Sequence, residues 1–161
     1  MYVFLDTEFT SFEKRQLISI GLVSLCGEFT FYKEVQGYKY LNCSDFVKKH
    51  VLPQLSRKWG TMVPLPEIRQ GLLDWFLRLP VEEGEKVSVL VDHEYDIEQL
   101  CDLMGRLPDW VEVKNIGYHL NSDAFEEFLD ENNLKAHHAL NDAQANRHAF
   151  MADLKASEKT K

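Results

Sequence analysis

The spacing of apolar and polar residues changes along the chain, and the change marks out its elements. Tyr2-Val3-Phe4-Leu5 is a short apolar run that delivers Asp6 and Glu8 to its end. Leu17 to Leu25, rich in branched residues, predicts a buried strand, and Cys26-Gly27 turns it back. From Glu28 to Val35, Phe29, Phe31 and Val35 fall at the two-residue period of a half-buried strand. The opening is therefore expected to be a three-stranded antiparallel meander.

Beyond Val35 the pattern alternates between helix and strand. Asp45 to Leu52 predicts a short helix stopped by Pro53. Pro66 opens a longer one, with Ile68, Leu72, Leu73, Trp75, Phe76 and Leu79 on an apolar face that ends at Pro80. Val87 to Val91 is the next strand, followed by a helix carrying Ile97, Leu100, Cys101 and Met104 and a strand near Val111 to Ile116. Ser122 is expected to cap a helix with Phe125, Phe128 and Leu129. A last helix from about Ala139 to Leu154 turns Ala143, Phe150 and Leu154 inward. The order βββαβαβα, with one further helix, predicts an α/β fold in which a mixed sheet is covered by helices. With no internal repeat, low-complexity segment or linker, the expectation is one domain over 1–156 and a flexible tail over 157–161.

Composition narrows the class. A chain of 161 residues, 45% of them hydrophobic, can bury a sizeable core. Its apolar stretches run only a few residues, far short of the ~20 that span a bilayer. Met1 leads straight into the first strand without a basic and apolar leader. Cys26, Cys43 and Cys101 are odd in number and lack Cys-x-x-Cys spacing, which argues against disulfides or a zinc knuckle and for small core fillers. A reduced, cytoplasmic protein away from membranes is expected. The net charge of −8 repels phosphate over the whole surface, but bound cations would reverse that logic locally.

The candidate chemistry begins with Asp6 and Glu8. Positions i and i+2 of a strand share a face about 7 Å apart. Two carboxylates placed so repel each other and lose solvation unless a cation neutralises them, and a hard ion such as Mg²⁺ or Mn²⁺ suits an all-oxygen site. The plainer reading is a solvated strand end. Asp96 lies where the Val87–Val91 strand gives way to a helix, the kind of carboxyl end at which α/β sheets collect ligands, although an acid there also complements the helix dipole. Asp142 sits among Ala139, Leu140 and Ala143, small neighbours that let a helix approach a sheet closely. His137, five residues earlier, is placed on the loop leading in, where a histidine can take a proton from water.

In order and spacing, Asp6-Thr7-Glu8, Tyr95-Asp96 with Leu100 four residues on, and His137-x-x-x-x-Asp142-Ala143 resemble the three motifs of the DEDDh 3′-5′ exonucleases. This superfamily includes RNase T-like and DnaQ-like enzymes. The resemblance runs from Tyr2 to about Leu154 and is closest to the small bacterial and phage exoribonucleases typified by the mycobacterial RNase T-like enzyme. It implies a ribonuclease H-like fold with a mixed five-stranded sheet. It also implies two Mg²⁺ or Mn²⁺ ions held by Asp6, Glu8, Asp96 and Asp142, with His137 as general base. The implied reaction is two-metal hydrolysis that releases nucleoside 5′-monophosphates from single-stranded RNA. Exodeoxyribonuclease activity is the alternative within the same chemistry; a non-catalytic binding module and a ribonuclease H-like endonuclease are alternatives outside it.

Thr7 and Phe9 would meet the terminal nucleotide, and Leu17 or Ile18 would wedge between the last two bases. Lys48, Lys49, Arg57, Lys58 and Arg147 are candidates for backbone phosphates. Many relatives carry His-Asn before the aromatic-Asp pair, whereas this chain has Asp92-His93-Glu94-Tyr95-Asp96, so Asp92 and Glu94 stand beside Asp96 as candidate ligands. His138 is likewise open as a substitute for His137. Relatives are frequently homodimers, and a homodimer would lend this acidic chain basic residues across the interface.

Overall fold

The computed structural model describes the chain from Met1 to Lys159, with side-chain surroundings to Ala156. Three strands, β1 (Tyr2–Phe9), β2 (Leu17–Ser24) and β3 (Thr30–Val35), form the expected antiparallel meander. A short helix α1 (Asp45–His50) and a 3₁₀ turn (Leu52–Gln54) follow, then a two-residue strand β4 (Met62–Val63) and helix α2 (Leu65–Leu77). The rest is β5 (Val87–Val91), α3 (Glu94–Met104), β6 (Val111–Asn115), α4 (Ser122–Glu131) and α5 (Ala139–Lys159).

The six strands lie in the order β4-β3-β2-β1-β5-β6, with β5 and β6 parallel to β1 and β4 parallel to β3. This is the mixed, helix-covered sheet of the ribonuclease H-like exonuclease fold. The pattern predicted five of these strands; β4 is too short to carry a period and forms because Glu34 and Val35 offer it an open edge.

The core explains the order. Every residue of β2 and β5 is buried, as expected of central strands covered on both faces. Leu5, Leu22, Val89, Ile68, Leu72, Phe76 and Leu100 fill the layer beneath α2 and α3, while Phe4, Val23, Leu90 and Ala143 form the layer beneath α5. Helix α5 reaches the sheet through Ala139, Ala143, Ala145 and Ala149, all fully buried. It approaches so closely that a Cβ at Gly21 would lie 2.5 Å from the Ala139 carbonyl oxygen and nearer still to the Leu140 nitrogen.

Several local expectations are corrected. Asn121, not Ser122, caps α4, its side-chain oxygen accepting from the Ala124 N–H at 3.1 Å. Leu154 is 46% exposed, because the last turns of α5 extend past the sheet. Only Cys43 is a core filler; Cys26 and Cys101 are exposed. The expected tail falls on the end of α5, whose backbone is helical to Lys159, and on Thr160 and Lys161, which lie outside the described residues. Among the described residues no helix is long and apolar enough to cross a membrane.

Candidate active site

Strand β1 carries Asp6 and Glu8 to the edge of a cavity of about 290 Å³, which Asp92, Asp96, His137 and Asp142 also line. Asp6 pairs with Gly21 across β1 and β2, and Gly21 is the residue on which the start of α5 rests. One turn into that helix stands Asp142, so a glycine on β2 brings it over the β1 acids. Asp92 leaves the end of β5, and Asp96 follows in the first turn of α3. A second close approach fixes Asp92: a Cβ at Gly117 would run into its carbonyl oxygen and lie 3.2 Å from its Cα.

The acids fall into two groups whose ligand atoms all lie within 4.8 Å of one another: Asp6, Asp92 and Asp96, and Glu8, His137 and Asp142. The structure thus gathers all five residues expected to hold metal or serve as base, and adds Asp92. Asp92 joins Asp96 rather than replacing it. Glu94 faces away, its carboxylate accepting from Asn115 Nδ2 at 2.9 Å. His138 is also directed elsewhere: its ring stacks on Tyr32 with centroids 4.5 Å apart, while His137 lines the cavity and, unlike His93 at the same cavity, stands with Glu8 and Asp142.

The electrostatics are those of negative charge without a counter-charge. Burial first, then the charges of Asp96, Asp142, Glu8 and Asp92, hold the Asp6 carboxyl well above the usual carboxylate range. Burial and the charges of Asp142, Asp96 and Asp92 push Glu8 up to about 8. Burial raises Asp96 to about 7 against two hydrogen bonds that lower it, from the Thr7 N–H at 2.9 Å and the Thr7 hydroxyl at 2.6 Å. Asp142 is raised to about 7 in the same way, against a 2.7 Å hydrogen bond from the His137 N–H. Asp6 Oδ2 and Asp142 Oδ1 are buried with no hydrogen-bond partner among the described residues. Buried, unpaired carboxylate oxygens aimed into one acidic cavity are the donor set of a hard divalent cation, so the residues fit the metals that the sequence resemblance implies.

His137 has a positive φ of 67° at the turn before α5. Its position is set from a distance. Gln54 donates from Nε2 to the carbonyls of Ala136 at 2.7 Å and His137 at 3.0 Å, and also to His50 at 2.9 Å. The segment just after Gln54 is pinned by Glu34, whose buried carboxylate accepts from the N–H groups of Ser56 at 2.7 Å and Arg57 at 2.8 Å. The ring meets Phe46 edge-on at 4.8 Å. Burial, then neighbouring His50, pull the His137 imidazole below its usual range, so it is neutral at pH 7 and able to accept a proton. Nothing local in the sequence marks Gln54, which lies 83 residues from His137.

The expected substrate residues divide. Phe9 lines the cavity beside Phe12, with ring centroids 5.4 Å apart, and both meet Tyr95. Phe12 is 68% exposed, an available face that the sequence reading passed over. Thr7 also lines the cavity, but its N–H and hydroxyl are both committed to Asp96, so its N–H is not free for a terminal hydroxyl. Ile18 is fully buried among Cys43, Val47, Val51, Leu52 and Leu55 and cannot reach a base without unpacking that cluster. Leu17 opens onto a neighbouring cavity. Of the candidate phosphate contacts, Arg147 donates from Nε to the Leu25 carbonyl at 2.7 Å and Lys48 pairs with Asp45.

The mixed sheet that carries this acidic cavity at the carboxyl ends of β1 and β5 has the ribonuclease H-like exonuclease fold. Solved structures agree. The chain superposes on cell-death related nuclease 4 with a TM-score of 0.66 at 15% identity, covering 96% of this chain and 64% of that one. A 3′-exonuclease, in a structure of 3′-end specific recognition of a histone mRNA stem-loop, gives 0.61 at 17% identity, covering 96% of this chain and 81% of that one. A full-length 3′-exonuclease gives 0.59 at 16%, covering 97% and 82%. At these identities the likeness is one of fold, and the chain spans under two thirds of the length of the first of these structures. The sequence matches no protein-family model and no curated protein sequence.

Proposed function

We propose that this chain is a divalent-metal-dependent 3′-5′ exonuclease of the DEDDh type, acting on single-stranded RNA ends. The observation that carries the reading is the gathering of Asp6, Asp92 and Asp96 beside Glu8, Asp142 and the neutral His137 in one cavity, with unpartnered oxygens on Asp6 and Asp142. Asp6, Asp92 and Asp96 would hold one cation, and Glu8 and Asp142 the other. Such ions supply Lewis-acid chemistry, easing ionisation of water and neutralising charge on a phosphate.

The residues do the rest. His137 accepts the proton of the attacking water at an imidazole nitrogen. The water oxygen bonds to phosphorus as the bond to the 3′ oxygen breaks, and that oxygen takes a proton from solvent, giving a nucleoside 5′-monophosphate and a shortened strand with a new 3′ hydroxyl. Gln54 holds the His137 backbone for that transfer, and the Phe9 and Phe12 faces stack on the terminal base. The similarity in fold to 3′-exonucleases supports the reaction class.

The test is product analysis. Single-stranded RNA and DNA oligomers are incubated with the protein and Mg²⁺ or Mn²⁺ and the products separated chromatographically. Nucleoside 5′-monophosphates from RNA are expected. Their release from DNA alone would make the enzyme an exodeoxyribonuclease, internal fragments would make it an endonuclease, and intact substrate would favour a binding module.

A further inference from the structure

A second cavity, of about 270 Å³, adjoins the acidic one and takes no part in the chemistry above. Its apolar walls are Leu17, Val35, Leu65 and Leu103, with the Tyr38 ring to one side, and Gln16, Gln36, Arg15 and Asp102 are polar at its lining. Gln99 adds a carboxamide. This residue is only 5% exposed, yet its side-chain amide makes no hydrogen bond among the described residues. An amide held by no protein partner and open to a largely apolar cavity is free to hydrogen-bond a ligand that enters it.

The surroundings limit what that ligand is. A carboxamide offers donors and an acceptor side by side, which matches a nucleobase edge carrying a donor next to an acceptor. Anionic groups are disfavoured inside it: the Arg15 guanidinium at the rim is committed to Glu98 at 2.8 Å, and Asp102 adds a negative wall. The volume suits a ligand smaller than a drug-sized molecule.

The two cavities are built on neighbouring residues of the same elements. Gln99 stands one turn of α3 beyond Asp96. Leu17, in the second cavity, pairs across the strands with Phe9, in the first. Arg15 stacks 4.4 Å over Tyr95 and forms the ridge between them. We infer that this cavity is a nucleobase pocket in which the Gln99 amide reads the base edge, giving the enzyme a preference among bases. The inference rests on the nucleic-acid reading above.

It is tested by following the Gln99 side-chain amide of the full ¹⁵N-labelled chain by NMR. The four nucleosides are added in EDTA, and the four homopolymeric RNA pentanucleotides in Ca²⁺. A saturable, base-dependent shift is expected, and Gln99→Leu should weaken the preferred base about tenfold or more. Leu65→Trp, at a position 44% exposed, blocks the cavity without touching the core and should abolish the shift even if Gln99→Leu fails to fold. A response to nucleosides alone marks a free ligand, and one confined to oligomers marks a base of the bound strand. An amide unmoved by every nucleoside and oligomer, or equal binding of all bases by wild type and both variants, overturns the pocket and leaves the exonuclease reading intact. A shifted amide in a protein that cleaves nothing does the reverse.

Discussion

Replacing Gly21 by alanine probes the joint that brings Asp142 over Asp6. The added Cβ would stand 2.5 Å from the Ala139 carbonyl oxygen and nearer still to the Leu140 nitrogen, and ordinary contact begins near 3.4 Å, so the start of α5 must retreat by about 1 Å. The opposing atoms are backbone, which has no rotamer to turn aside. Overpacking of this kind costs roughly 1–3 kcal/mol. At about 2–4 °C per kcal/mol for a chain of this size, melting should fall by roughly 2–12 °C. Asp142 lies one turn into the displaced helix, and a misplacement near 1 Å lowers activity about 10²-fold. Gly71→Ala is the control: its Cβ would meet the Phe31 ring at an ordinary 3.5 Å inside α2, and it should be neutral or stabilise by up to about 1 kcal/mol. Differential scanning calorimetry and oligonucleotide hydrolysis read both effects. A Gly21→Ala protein that melts and cleaves like wild type would refute the argument.

Further predictions follow from the charges and the loop. In metal-free protein the raised carboxyls of Glu8, Asp96 and Asp142 hold protons that the unfolded chain releases near pH 4. Their stabilising contribution is therefore complete below that pH and is lost as pH rises through about 7 to 8, so melting in EDTA should be lower at pH 8.5 than at pH 5.5. Mn²⁺ should raise the melting temperature, and more at pH 8.5 than at pH 5.5, because the ion competes with those protons; equal shifts at both pH values would contradict the assignment. Asp6→Asn removes a buried carboxyl whose ionisation is opposed by burial and by four neighbouring acids. It should stabilise the metal-free protein at pH 8 by roughly 1–3 kcal/mol in denaturant titration while abolishing hydrolysis. Gln54→Leu strips the donor from three carbonyls. It should cost roughly 1–3 kcal/mol and reduce kcat more than tenfold with little change in KM, and Gln54→Glu should not restore it.

Much of the fold was legible because its signals are local. The meander, the buried β5 and the apolar faces of α2 and α3 announce themselves by period, and the acids of β1 by their place at a strand end. What was hidden depends on residues distant in sequence. β4 has two residues and is defined by the edge it joins. Gln54 matters because of carbonyls more than 80 residues away, and Gly21 because a helix that begins at Ala139 rests on it. Ile18 and Leu17 look alike in sequence, but neighbours on a strand face opposite sides, so one is sealed among Cys43 and Val47 while the other opens onto a cavity. The order of Asp92, Glu94 and Asp96 left the second motif open; Gly117 fixes Asp92 by its carbonyl, and Asn115 draws Glu94 aside.

The most direct measurement of the central claim follows 5′-labelled single-stranded RNA and DNA on a sequencing gel, with wild type, His137→Ala and Asp96→Asn, each in Mg²⁺, Mn²⁺ and EDTA. The expected result is a ladder shortening from the 3′ end that requires metal, favours RNA and disappears in both variants. Full-length substrate in every metal, or the same ladder in EDTA or in the His137→Ala protein, would contradict it.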